Sequence, residues 1–142
     1  MPLVTYKNET RNIPDRYLPK SLSPRDRKKQ IKSIFENKDR PKVTLKKRRS
    51  KWTILFEKKY NPKSSKLEDI CKVTNIPVKA LREVYKKGIG AYYSSGSRPN
   101  QTKDSWAYGR VYSYIMGNKA VRRIDNHITD KYNVIFKIPT KI

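Results

Sequence analysis

The groups best placed for chemistry in this chain lie between Gly88 and Arg110, GIGAYYSSGSRPNQTKDSWAYGR, where glycines, serines, an arginine and four aromatics come together. The backbone amides around Ser95 and Gly96 suit an anion, with Arg98 as charge partner and a helix N-terminus expected close by at Thr102. Gly96 and Pro99 equally suit a tight connection with no ligand, and both readings stand. Gly88-Ile89-Gly90 is not a dinucleotide motif, because it follows a helical segment and lacks a third glycine at the required spacing. Nucleophilic catalysis would need His127 beside Ser94, Ser95 or Cys71, and nothing in the spacing brings them together. Asp104 and Asp125 fall on separate segments; they suit a helix N-terminal charge and a partner for Arg122 or Arg123 better than a two-carboxylate site. Cys71 and His127 stand alone as the Cys and the His, too few for a metal-ligand set. The residues therefore predict no enzyme, no metal and no cofactor. A lone cysteine also leaves no internal disulfide and fits a reducing compartment.

A second chemistry is cationic. The 142 residues hold 35 Lys and Arg against 12 Asp and Glu, a formal net charge of +23, which favours DNA, RNA, anionic lipid or acidic protein as partner. Residues 1–66 carry 21 Lys/Arg against 6 Asp/Glu and residues 67–142 carry 14 against 6, so the N-terminal half is predicted to be the less compact. Lys46, Lys47, Arg48 and Arg49 form a run that abuts Lys51 and the apolar Trp52-Thr53-Ile54-Leu55-Phe56. Lys79, Arg82, Lys86 and Lys87 share the outward side of an expected helix. With Ser95, Gly96, Arg98 and Arg110, these are the residues predicted to meet nucleic acid or another anion. No Asn, Gln or Arg cluster opens that helix to suit base edges, so contacts would go to phosphate and not to sequence. Tyr92, Tyr93, Trp106, Tyr108, Tyr112 and Tyr114 crowd one region and suit either base stacking or core packing. No apolar run approaches the roughly 20 residues of a membrane span, and MPLVTYKNETRN has no signal-peptide core.

The elements that would position these groups follow from punctuation. Pro2, Pro14 and Pro19 exclude a long helix from residues 1–22, which read as an extended arm. Ser23-Pro24 opens a helix near 24–37 with Ile31, Ile34 and Phe35 inward. Trp52 to Phe56 is a strand or the start of a buried helix, since so short a run does not separate them. Ser65-Lys66-Leu67-Glu68 fits a capping box, Thr74-Asn75 turns, Pro77 opens a second helix and Gly88 closes it, giving a helix-turn-helix-like hairpin. Thr102 caps a helix over 103–116 ended by Gly117-Asn118, a short helix follows near 120–128, and Val134 to Ile138 read as a strand. The expected class is mainly α, with a basic arm at 1–64, a compact helical domain at 65–130 and a strand-like tail at 131–142.

From ALREVYKKGI through GAYYSSGSRPNQTKDSWAYGRVYSYIMGNKAVRRID, the chain resembles an uncharacterised domain family of giant nucleocytoplasmic DNA viruses and some tailed phages. The matching positions are Leu81, Val84, Tyr85, Lys87, Gly88, Gly90, Ala91, Tyr92, Ser95, Gly96, Arg98, Pro99, Trp106, Arg110, Val111, Ser113 and Asp125. Gly109 departs from the alanine of many members. The resemblance implies no reaction or cofactor; it implies a role in the virus particle or replication cycle, and an Arg98-Arg110-Asp125 polar set. The expectation is a non-catalytic virion protein that binds nucleic acid through phosphates, located in the virion and, during assembly, in host cytoplasm or a viral factory. The alternative is a minor capsid protein whose arm packs between other virion proteins.

Overall fold

The computed structural model describes residues 3–43, 50–64 and 66–141. The chain is mainly helical: strands β1 (Leu3–Tyr6) and β2 (Glu9–Asn12), a 3-10 turn (Asp15–Tyr17), then α1 (Pro24–Phe35), α2 (Lys51–Lys59), α3 (Leu67–Thr74), α4 (Val78–Ser95), α5 (Lys103–Met116), α6 (Lys119–Ile124) and α7 (Asn126–Lys131). It divides into two units, residues 1–47 with 89–106 and residues 48–88 with 107–142. The division expected near residue 64 is replaced by one that α4 and α5 both cross, each giving residues to both units.

In the first unit, β1 and β2 pair antiparallel from Leu3↔Asn12 to Tyr6↔Glu9, leaving a two-residue loop in which Lys7 takes φ 53°. A positive φ at the first loop position matches the twist of the flanking strands. Alternation does the rest: Val4 turns inward between exposed Leu3 and Thr5. Val4, Ile13, Tyr17 and Leu18 form a core cluster with Ile34 and Phe35 of α1. Residues 3–22 are therefore folded and not an extended arm; the prolines forbid a long helix but permit a hairpin and a 3-10 turn. α1 starts as its sequence requires, with the Ser23 hydroxyl accepting from the Asp26 amide at 3.1 Å and Pro24 first in the helix. Beyond its end, the Tyr6 hydroxyl donates to Glu36, and this bond, with Lys38, holds the Glu36 carboxyl down to about 2.

In the second unit, Ser50 caps α2 by accepting from the Trp52 amide at 3.2 Å, and Phe56 is buried, so the apolar pentad is helical. Ser65 of the expected capping box lies outside the described residues. Asn75, in the left-handed region, ends α3. Ile70, Ile76, Ala80, Leu81 and Val84 then close on Val111, Tyr114, Ile115 and Ile128. Gly117 at φ 97° ends α5, and the Asn118 side chain caps α6. A break at Asp125 gives α6 and α7 where one helix was expected. The strand-like tail is corrected too. Among the described residues 132–141 there is no strand, since no neighbouring strand offers a ladder; Val134 is buried, and Phe136 sets its edge on Tyr114 at 5.0 Å.

Gly88 does not cap a helix but lies inside α4, because the backbone of α5 passes over it. A Cβ there would fall 2.7 Å from Ala107 Cα and 3.1 Å from its Cβ. Helix propensity alone favours Gly88→Ala by about 1 kcal/mol, whereas overpacking against backbone costs about 1–3 kcal/mol or more. The variant is expected to melt at a lower temperature than the native chain. An unchanged or higher Tm would show that propensity wins and that the approach is not tight.

Candidate functional site

Four of the predicted anion-binding residues, Lys46, Lys47, Arg48 and Arg49, lie outside the described residues. Lys51 is exposed at the first position of α2. α4 brings Lys79, Arg82, Lys86 and Lys87 to the surface, the first three at the i, i+3, i+7 spacing of one helix face. That side is free to be polar because Ala80, Leu81 and Val84 take the inward positions. Arg82 pairs with Glu68 at 2.9 Å, but both side chains are more than half exposed, so the pair is weak and open to exchange. Among the described residues, Lys79, Lys86 and Lys87 have no hydrogen bond or ion pair through their side chains. Glu83, the acid within this basic stretch, is held by the Tyr132 hydroxyl and by Lys131 at 3.3 Å, which keep its carboxyl below the usual range.

The serine-glycine segment is arranged differently from the expected cradle. α4 continues to Ser95, so Tyr92, Tyr93, Ser94 and Ser95 are helical. Gly96 is buried at φ 91°, and a Cβ on it would fall 3.1 Å from Ile34 Cγ2. Ser97 is buried as well; its carbonyl accepts from Gln30 Nε2 at 2.8 Å and its hydroxyl donates to the Arg98 carbonyl at 3.0 Å. Gly96 therefore serves close packing against α1, the tight connection that was the other reading of this segment. Ser95 stays exposed, and Arg98 is half-buried with no bond to any other described residue through its side chain.

Arg110 leaves the candidate set. Its Nε donates to Asp125 Oδ2 at 2.9 Å and its Nη2 to Oδ1 at 2.6 Å, a bidentate pair whose carboxylate is fully buried. With both carboxylate oxygens engaged, this arginine positions α5 against the α6–α7 junction and offers little charge to a ligand. The Arg110-Asp125 half of the expected polar set is thus formed, and Arg98 has no bond to it.

Of the six aromatics, Tyr92 and Tyr114 are buried and Tyr93, Trp106, Tyr108 and Tyr112 are half-buried. Tyr92 is fully buried, its hydroxyl accepting from the Arg40 amide at 2.8 Å and donating to the Gln101 carbonyl at 2.9 Å. Trp106 meets Tyr17 edge to face at 5.9 Å, Tyr112 stacks on Phe56 at 4.6 Å, and Tyr85 meets Tyr108 at 5.0 Å. These rings have aromatic neighbours, which is the core-packing reading of this region.

Sequence reasoning missed two buried arginines. Arg40 rests over the Tyr92 ring at 4.8 Å and donates to Ser33 Oγ and the Tyr92 carbonyl. Arg122 lies 3.6 Å from the Phe136 ring centre and donates to the carbonyls of Tyr114, Ile115 and Ile138. Burial pulls both guanidinium pKa values down. The one signal for Arg122 was its place just after a helix C-terminus, where unpaired carbonyls attract cations. Among the described residues no cluster of His, Cys, Asp and Glu could hold a metal ion, and no helix is long and apolar enough to cross a membrane.

Comparison with protein-family profiles gives a match over residues 15–131 to the Family of unknown function (DUF5824). The chain belongs to that family. The DUF5824 span runs from the 3-10 turn through α7 and so covers most of both units, with the α4 lysines, Arg40, Arg122 and the Arg110–Asp125 pair, but not the β1–β2 hairpin or residues 132–142. No curated protein and no solved structure matches the chain.

Proposed function

We propose that the chain is a non-catalytic protein that binds nucleic acid through phosphate contacts, without regard to sequence, in the particle or replication cycle of a large DNA virus. One observation carries the reading: 35 cations face 12 acids, so 23 lack an acid of their own in the chain, and Lys79, Lys86 and Lys87 stand among them on one exposed stretch of α4. Self-repulsion of that size falls when phosphates neutralise the surface and release counterions. The α3–α4 pair, read from the sequence as helix-turn-helix-like, would lay α4 along a backbone, since three of its four outward cations are point-charge lysines and the fourth, Arg82, pairs with Glu68. The viral setting rests on the sequence resemblance. The minor-capsid alternative has less support, because Val4, Ile13, Tyr17 and Leu18 of the supposed arm are buried within their own unit.

Two duplexes of unrelated sequence are expected to compete equally for the protein. The variant Lys79→Gln/Lys86→Gln/Lys87→Gln should keep the native Tm and weaken binding to both alike. A preference of tenfold or more for one duplex would contradict phosphate-only contact, and unchanged affinity in the variant would remove α4 from the interface.

A further inference from the structure

The first unit carries a cationic face of its own. On α1, Arg25, Lys28, Lys29 and Lys32 are all exposed at the i, i+3, i+4, i+7 spacing that places four side chains on one side of a helix. The stripe covers eight residues, Arg25 to Lys32, whose seven steps rise about 10 Å at ~1.5 Å per residue. Its direction is fixed by what α1 buries: Gln30, Ser33, Ile34 and Phe35 are inward, and Gln30 Nε2 anchors the helix to the carbonyls of Tyr17 and Ser97 at 3.0 and 2.8 Å.

None of the four cations has an ion pair or hydrogen bond through its side chain among the described residues. Each of the nearby acids has a contact of its own, Glu36 with a cation and Asp39 with a neutral hydroxyl at the recess. Glu36 takes the Tyr6 hydroxyl and Lys38, Asp39 accepts from the Tyr93 hydroxyl at 2.8 Å, and Asp26 sits in the first turn, where it complements the helix N-terminus. At the C-terminal end of the stripe an open recess of about 240 Å³ is lined by Lys29, Lys32, Ser33, Lys38, Asp39 and Pro41. The Ser33 hydroxyl accepts from Nη1 of Arg40 at 3.0 Å, and among the described residues Arg40 is a buried cation with no salt bridge and an unbonded Nε. The buried guanidinium adds to the positive potential of the lysines around it, offset in part by the neighbouring Asp39.

We propose that the α1 face and this recess form a second phosphate-binding surface, which takes the backbone of a nucleic-acid duplex through contacts separate from those of α4. The inference rests on the nucleic-acid reading above and adds a second surface to it. A duplex presents about one charge per 3.4 Å of axis on each strand, so a 10 Å stripe passes roughly three phosphates of one strand, which matches the two to three contacts that the test below reads.

The test is the salt dependence of duplex affinity for the full chain and for Lys28→Gln/Lys29→Gln/Lys32→Gln, with Lys28→Gln alone as a milder variant and the α4 triple as comparison. Each lost phosphate contact lowers the magnitude of the slope of log K against log salt by about 0.9. The α1 triple is therefore expected to lose about 2 to 3 units of slope and the single variant about 1, with Tm unchanged. A native slope in both α1 variants, alongside a reduced slope in the α4 triple, overturns the second surface and leaves the nucleic-acid reading intact. No duplex binding by the native chain overturns both.

Discussion

Replacing Arg110 by alanine is expected to destabilise the chain by about 3–5 kcal/mol, because it leaves the carboxylate of Asp125 buried and unpaired. That carboxylate is fully buried, and among the described residues the two guanidinium bonds at 2.6 and 2.9 Å are its side-chain contacts. For a chain of 142 residues the loss corresponds to a fall in Tm on the order of 10–15 °C. Arg110→Ala/Asp125→Ala should recover part of it, since removing both partners leaves no orphaned charge. Below its melting transition the single variant should bind duplex as the native chain does, because this arginine meets an internal acid. A variant that keeps its Tm would show that the pair is not needed; one that stays folded but loses duplex affinity would return Arg110 to the interface.

Arg122→Ala is expected to cost a similar amount by a different route. The last carbonyls of a helix have no partner further along it. At the end of α5 the Ser113 carbonyl accepts from the Asn118 amide, while those of Tyr114 and Ile115 accept from Arg122 at 2.9 and 2.8 Å. The same guanidinium reaches the Ile138 carbonyl at 2.8 Å and the Thr140 hydroxyl at 3.1 Å, so it ties α5 to the C-terminal segment. Each buried carbonyl left without a donor costs about 1–3 kcal/mol, and the Phe136 contact is lost as well. A total of about 3–5 kcal/mol follows for alanine, read as a lower Tm. Arg122→Lys keeps the charge but not the planar fork and should fall between the two. Equal melting of the lysine and native chains would show that charge alone is what α5 requires.

What the sequence made legible was local. Ser23-Pro24 announced α1, Thr102 announced α5 through a reciprocal pair of bonds with Ser105 at 3.1 Å, and Gly117-Asn118 marked both an end and a start. The exposed lysines of α4 were legible because helix periodicity places them opposite Ala80, Leu81 and Val84. What escaped depends on partners distant in the chain. Gly88 reads as a helix end until Ala107 is seen against it. The hairpin at 3–12 has a Lys7-Asn8 loop without the glycine that usually marks such turns. Arg40 looks like a surface cation, and Arg122 like a partner for Asp125, because neither gives a sign of the backbone carbonyls and distant rings that bury it. The α1 stripe was legible from its spacing alone and went unread beside the denser basic run at 46–49.

The central claim is that the surplus of cations meets phosphate, and duplex affinity measured across a salt series tests it most directly. The native chain is expected to bind at low salt with a slope of log K against log salt of about −3 or steeper, at least three phosphate contacts at about 0.9 each, and with the same slope on an unrelated duplex. A flat salt dependence, or no binding at low salt, would contradict it.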